Sequence, residues 1–212
     1  MAPAPRPGKV RAKLVGKRAE QTNLCVGWRA VHTDHPDKFI VDMLNAVLGE
    51  GMSSRLFLEL REKRGLAYDV HSYDANYVDA GHLVVYAGFA PQNGAEVLAA
   101  ILREIARLRD EQVPDRELER VRDFAKGRLE LRLEDTRGVS AWLAGQELFL
   151  GRVRTVEEVS AIIDGIGPAD IQRVAREYLR PELAYVAAIG PRATLAAIAP
   201  PVGEELAIRI AS

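Results

Sequence analysis

One cysteine, Cys25, stands among the 212 residues. A lone thiol excludes an intrachain disulfide framework and any zinc or iron–sulfur centre built on several cysteines. Histidine is nearly as sparse, with four copies, and aromatic residues make up only 6% of the chain. No H-E-x-x-H or H-x-x-E-H string occurs, and neither a G-x-S-x-G nucleophile elbow nor a Walker A sequence is present. Gly49-x-Gly51 lacks the third glycine of a dinucleotide fingerprint and follows a helical pattern rather than a strand. No apolar run approaches the ~20 residues that span a bilayer, and no signal-peptide core appears. Excess charge is missing too: 29 Lys+Arg against 30 Asp+Glu removes the electrostatic footprint of a nucleic-acid or acidic-membrane binder.

What is there suits a folded domain of a reducing compartment, expected to be cytoplasmic. Hydrophobic residues reach 48% and charged residues 28%, ordinary values for globular chains. The charge is uneven. Residues 1–18 hold six basic and no acidic side chains, which leaves 23 basic against 30 acidic residues in the remainder. A basic, acid-free start fits a mitochondrial targeting peptide. Three prolines within Met1–Gly8 forbid the amphipathic helix that targeting needs and favour an extended spacer. Residues 1–20 therefore read as a Pro-rich basic linker, 21–190 as one domain and 191–212 as a tail.

Inside 21–190 the hydrophobic period switches between two and 3.6. Leu24, Val26, Trp28 and Ala30 alternate with Cys25, Gly27 and Arg29 as in a strand. Phe39, Ile40, Met43, Leu44, Val47 and Leu48 recur at helical spacing, and Gly49-Glu50-Gly51 ends that helix. Ser53 or Ser54 is placed to cap a second helix with Leu56, Phe57 and Leu60 on its apolar stripe, ended by Gly65. Strands are expected around 67–77 and 81–90, the second nearly continuous in apolar residues and so interior to its sheet. Helices follow from Pro91, from Pro114 to about Leu133, from the Thr155/Glu158 capping box and from Gly167-Pro168. Leu183–Ile189 closes as a strand. Paired strands and clustered helices predict an α+β fold.

Chemistry is concentrated in one stretch. His32 and His35 with Asp34 and Asp37 make a weak metal site conceivable, but two turn histidines close no coordination shell, and a solvated loop explains them. Cys25 lies on a strand and reads as a small buried residue. By contrast, residues 49–77 read GEGMSSRLFLELREKRGLAYDVHSYDANY. There a helix C-terminus carrying Arg61 and Arg64 leads through Gly65 into a strand starting near Tyr68. A guanidinium and a phenol are both donors at neutral pH, and aimed at one point they hold a peptide carbonyl or a developing oxyanion. The competing explanation is that Arg61 and Arg64 decorate a helix end and Tyr68 packs on a sheet.

The string LNAVLGEGMSSRLFLELREKRGLAYDVHSY resembles the second-half domain of the pitrilysin/insulinase-type zinc metallopeptidases, which include the mitochondrial processing peptidases. Gln21, the run Gly51–Leu56 and the run Arg61–Tyr68 carry the likeness, which extends from about Gln21 to Gly190. It implies an antiparallel-dominated sheet backed by a layer of helices, a metallopeptidase half-domain of LuxS/processing-peptidase type. Zn2+ then belongs to a partner half-domain with the inverted H-x-x-E-H site and a glutamate that activates water, and this chain binds none. The resemblance assigns Tyr68 to the scissile carbonyl or its oxyanion and Arg61 to a nearby substrate carbonyl. Gly51, Met52, Ser53 and Arg64 become substrate-binding candidates, and an exposed sheet edge pairs with the peptide backbone. Asp69 stands where the family often carries serine, as a candidate partner for Arg64 or a modifier of substrate preference. The partners implied are the zinc-bearing half and a peptide or unstructured polypeptide, with the chain inactive alone. An excised domain of a longer peptidase is favoured over one subunit of a split enzyme. A non-catalytic assembly subunit or a peptide-binding module of the same fold is the alternative.

Overall fold

The computed structural model describes residues 11–199. Strand β1 (Ala12–Gly16) turns Ala12 and Leu14 inward and Lys13 to solvent. Strands β2 (Thr22–Ala30), β3 (Asp69–Asn76), β4 (Gly81–Phe89) and β5 (Tyr185–Gly190) complete a five-stranded sheet ordered β1-β5-β2-β4-β3. Only β1 and β5 run parallel; the other three pairings are antiparallel. The fold is thus α+β with a mostly antiparallel sheet, and the apolar strand β4 is interior to it. Alternation decides the faces. Leu24, Val26 and Trp28 of β2 and Leu83, Val85 and Ala87 of β4 are buried under the helices, whereas Cys25, Gly27, His82, Val84 and Tyr86 on the opposite parity are only half-buried.

The helices are α1 (Lys38–Leu48), α2 (Gly94–Asp110), α3 (Asp115–Arg132), α4 (Thr136–Leu150), α5 (Val156–Gly165), α6 (Pro168–Tyr178) and α7 (Arg192–Ile198); α1, α2, α6 and α7 lie on the buried face, and α3 and α5 pack against α1. Helix α2 buries Val97, Leu98, Ile101, Ile105 and Leu108, the stripe expected of an amphipathic helix. The α5 capping box forms reciprocally between Thr155 and Glu158. Trp28 crosses the core and donates its indole N–H to the Arg180 carbonyl at 2.9 Å.

Three features depart from the expectations. Ala12–Gly16, placed in the linker, is a sheet strand, because a two-residue alternation of small apolar groups lies hidden between lysines. Arg192–Ile198, placed in the tail, is a helix that buries Leu195 and Ile198. The Pro-rich run of residues 1–8 and the tail beyond 199 lie outside the described residues. Finally, Phe57–Lys63 is a π-helix, and no serine side chain caps it; Ser54 Oγ donates instead to the Gly51 carbonyl at 2.7 Å.

The C-terminal end of α1 is stitched to strand β3. Ser72 Oγ donates to Asn45 Oδ1 at 2.6 Å, and the Ser72 N–H donates to the Gly49 carbonyl at 3.0 Å. A Cβ at Gly49 would lie 2.5 Å from the Ser72 nitrogen, so glycine is required by close approach; its φ of −153° is ordinary extended backbone. The left-handed residue of the turn is Gly51, at φ 85°.

Candidate functional site

The stretch 51–69 is anchored at several points. Arg55 extends a two-pronged fork to Glu117 at the start of α3, with Nε–Oε1 at 2.9 Å and Nη2–Oε2 at 2.8 Å. The two side chains are 9% and 17% exposed, so the turn is clamped to α3 by a largely desolvated bidentate pair. Glu117 lies 62 residues away in sequence, which is why this positioning contact escaped sequence reasoning. The Ser53 carbonyl accepts from Arg120 at 3.3 Å. Leu56 and Leu60 are fully buried and hold the π-helix down.

A π-helix closes wider turns than an α-helix, so Phe57 and Arg61 share its outer side. The Arg61 guanidinium lies 5.1 Å from the centre of the Phe57 ring, a cation–π contact that leaves Arg61 exposed. The Leu60 carbonyl then accepts the Leu66 N–H at 2.7 Å, and Gly65 at φ 59° reverses the chain. Asn93 Nδ2 holds the Leu66 carbonyl at 3.0 Å. Tyr68 follows, its N–H on the Gly88 carbonyl at 2.8 Å and its side chain 62% exposed. The backbone of Tyr68 is fixed while its phenol projects into solvent without a hydrogen-bond partner among the described residues. No hydrogen bond joins Arg61 to Tyr68.

The other candidates divide. Met52 is 77% exposed and Ser53 is exposed beside it, both carried on the Gly51 turn. Arg64 pairs with Glu96 of α2, and Asp69 lies 3.2 Å from His71, so of the two roles considered for Asp69 the pairing with Arg64 is not the one formed. His32 and His35 touch ring edge to face at 5.3 Å, and His35 Nδ1 accepts the Asp37 N–H at 3.0 Å. Among the described residues, no three His, Cys, Asp or Glu side chains gather where a metal could be held.

Beside Tyr68, the half-buried face of the sheet carries a polar row that sequence reasoning did not assemble. Asn23 Oδ1 accepts from Tyr86 Oη at 2.7 Å and from Gln21 Nε2 at 3.3 Å. The His71 ring stacks 5.1 Å from Tyr86, next to the Asp69 pair. Burial, then the Asp69 charge, raises the Tyr86 pKa, which keeps the phenol a donor. Burial likewise raises the Cys25 pKa, so this thiol is a poor nucleophile. The register sets Cys25 beside Tyr86 and Tyr86 beside His71, joining residues that sequence separation keeps apart.

Residues 2–124 match the family model described as the peptidase M16 inactive domain. The chain is 37% identical over 191 residues to an uncharacterized zinc protease of Streptomyces coelicolor, covering 86% of this chain and 42% of that protein. It is 33% identical to the uncharacterized zinc protease YmxG of Bacillus subtilis, over 82% of this chain and 42% of the relative. Its fold is similar to that of a peptidase M16 inactive domain from Pseudomonas fluorescens, at 19% identity and a TM-score of 0.78, over 85% of this chain and 43% of that one. The chain thus spans about two fifths of the length of these curated relatives. No helix among the described residues is long and apolar enough to cross a membrane.

Proposed function

Because the chain belongs to the peptidase M16 family, as its inactive domain, we propose that it forms the metal-free wall of a zinc metalloendopeptidase whose zinc is held by a partner half-domain. The observation that carries this reading is Tyr68: its backbone is pinned to β4 while its phenol, free of partners, faces solvent. An ordered donor without an acceptor suits a ligand oxygen. In this reading Tyr68 donates to the scissile carbonyl oxygen and to the oxyanion that develops from it. Arg61, steadied on Phe57, holds a neighbouring backbone carbonyl of the peptide. Met52 and Ser53, exposed on the Gly51 turn, line the path of the chain being cut, and Arg64 borders it while paired with Glu96.

The substrates are peptides or unstructured polypeptides. Extended chains are favoured because strand β3, which begins next to Tyr68, offers one face of exposed polar and aromatic side chains. Its outer edge is closed at Ser72 by the Gly49 carbonyl, so backbone pairing with the substrate must use another edge. The test joins this chain to the zinc-bearing half and follows cleavage of an unstructured peptide. Tyr68→Phe should lower turnover by roughly 10²–10³, the effect of one oxyanion donor, with unchanged melting because the exposed phenol oxygen has no hydrogen-bond partner among the described residues. Unchanged turnover would reject the role of Tyr68, and an assembly or peptide-binding role for the domain would then be the better account.

A further inference from the structure

A hollow lies on the helical side of the sheet. A cleft of about 450 Å3 opens between α1, α3, α4 and α5, within the ~300–1,000 Å3 range of small-ligand sites. Phe39 and Met43 of α1, Phe124 of α3, Trp142 and Phe149 of α4 and Ile163 of α5 line it. Helix α4 is its loose wall. None of the α4 residues is buried, yet from Gly138 to Gly151 the chain carries a single ionisable group, Glu147. A helix this poor in charge, fronting a hollow with its own Trp and Phe, offers apolar surface to a guest.

The charges around the cleft select the head group of that guest. Two of the carboxylates lining it are paired with cations, Asp42 with Lys38 and Glu50 with Arg128, while Asp74 faces Asp42. Two cations differ. Arg132 and Arg154 line the cleft and pair with no carboxylate among the described residues. Arg154 is also pre-set: its guanidinium stacks 5.5 Å from the Phe39 ring centre. Its backbone N–H is held by Gln146 Oε1 at 3.0 Å, and its Nε is buried without a hydrogen-bond partner. A cationic head would have to displace Lys38, whereas an anionic head meets donors that nothing else occupies.

We propose that this cleft binds an amphipathic carboxylate, its apolar chain among Phe39, Met43, Trp142 and Phe149 and its carboxylate on Arg154, with Arg132 at the rim. The proposal is independent of the peptidase reading. Two tryptophans give a direct readout: Trp28 is fully buried and hydrogen-bonded to Arg180, so a fluorescence response to ligand belongs to Trp142. The full chain is titrated with decanoate below its micellar range, with decylammonium and decanol as head-group controls. Decanoate should give a saturable response and bind about tenfold more tightly than decylammonium, the effect of one charge-assisted pair. Arg154→Gln should remove that preference, weakening decanoate about tenfold and leaving decanol unchanged. A non-saturable response, equal or tighter binding of decylammonium to the unaltered chain, or undiminished decanoate binding by a folded Arg154→Gln would each overturn the proposal.

Discussion

Replacing Asp42 by asparagine should stabilise the domain above pH 7 and do little at pH 5. Asp42 sits on α1 with one carboxyl oxygen on Lys38 and the other, Oδ1, buried without a conventional partner. Asp74 of β3 faces it, and the two share the cleft with Lys38, Glu50, Arg128, Arg132 and Arg154. Burial, opposed by Lys38 and reinforced by Asp74, pushes the Asp42 pKa up to about 6. One shared proton would satisfy Oδ1. Since the folded-state value exceeds the unfolded one of about 3.9, the native state binds this proton more tightly. The stabilisation is therefore complete below pH 4, declines through pH 4–6 and is gone above. Two pH units amount to about 3 kcal/mol. With 32% of the side chain in water, about 1–2 kcal/mol is the realistic share. Asp42→Asn should then gain about 1 kcal/mol at pH 8, a rise of ~2–4 °C in melting temperature for a chain of this size. Asp74→Asn relieves the same repulsion, so the double variant should gain less than the sum. Thermal melts from pH 5 to 8 decide it. An Asp42→Asn protein that is less stable at pH 8 with the wild-type pH slope would show that the Lys38 pair outweighs the carboxylate repulsion.

Arg55→Ala should cost about 3 kcal/mol in urea unfolding, because it leaves the largely desolvated Glu117 without its bidentate partner; a loss below 1 kcal/mol would show the fork to be ornamental, and lysine should not restore it. Gly81→Ala should prevent folding or cost several kcal/mol, since its Cβ would overlap the Val31 carbonyl oxygen. By contrast Gly127→Ala, inside α3 with nothing within 4 Å of the new methyl, should gain about 0.5–1 kcal/mol. Equal effects of the two glycine substitutions would refute the steric argument. Thr155→Ala should cost about 1 kcal/mol by removing the α5 cap, visible as a lower urea midpoint.

What could be read from the chain alone follows from how local the signal is. The alternation Leu24-Val26-Trp28, the stripe of α2 and the Thr155/Glu158 box are complete within a few residues, and each appears in the structure where the pattern places it. Strand β1 is different: of its five residues only Ala12 and Leu14 are buried, and Lys13 and Lys17 disguise them as part of a basic spacer. Helix α4 has no fully buried residue, and its apolar side chains are spread over exposed as well as cleft-facing positions. The π-helix keeps Leu56 and Leu60 inward just as an α-helix would, and the hydrophobic pattern cannot distinguish the two. The site shows the same division. Arg61 and Tyr68 sit seven positions apart and were visible as a pair of donors, because a family resemblance runs through both. The Arg55–Glu117 fork, the Asp42–Asp74 pair and the Asn23–Tyr86–His71 row join residues 15 to 63 positions apart, brought together by the pairing of β4 with β2 and β3 and by the packing of α1 and α3. Contacts of that range depend on register and helix packing, which composition and period do not encode. The donors proposed to meet substrate lie within one short stretch of sequence, while the contacts that hold that stretch in place span the chain.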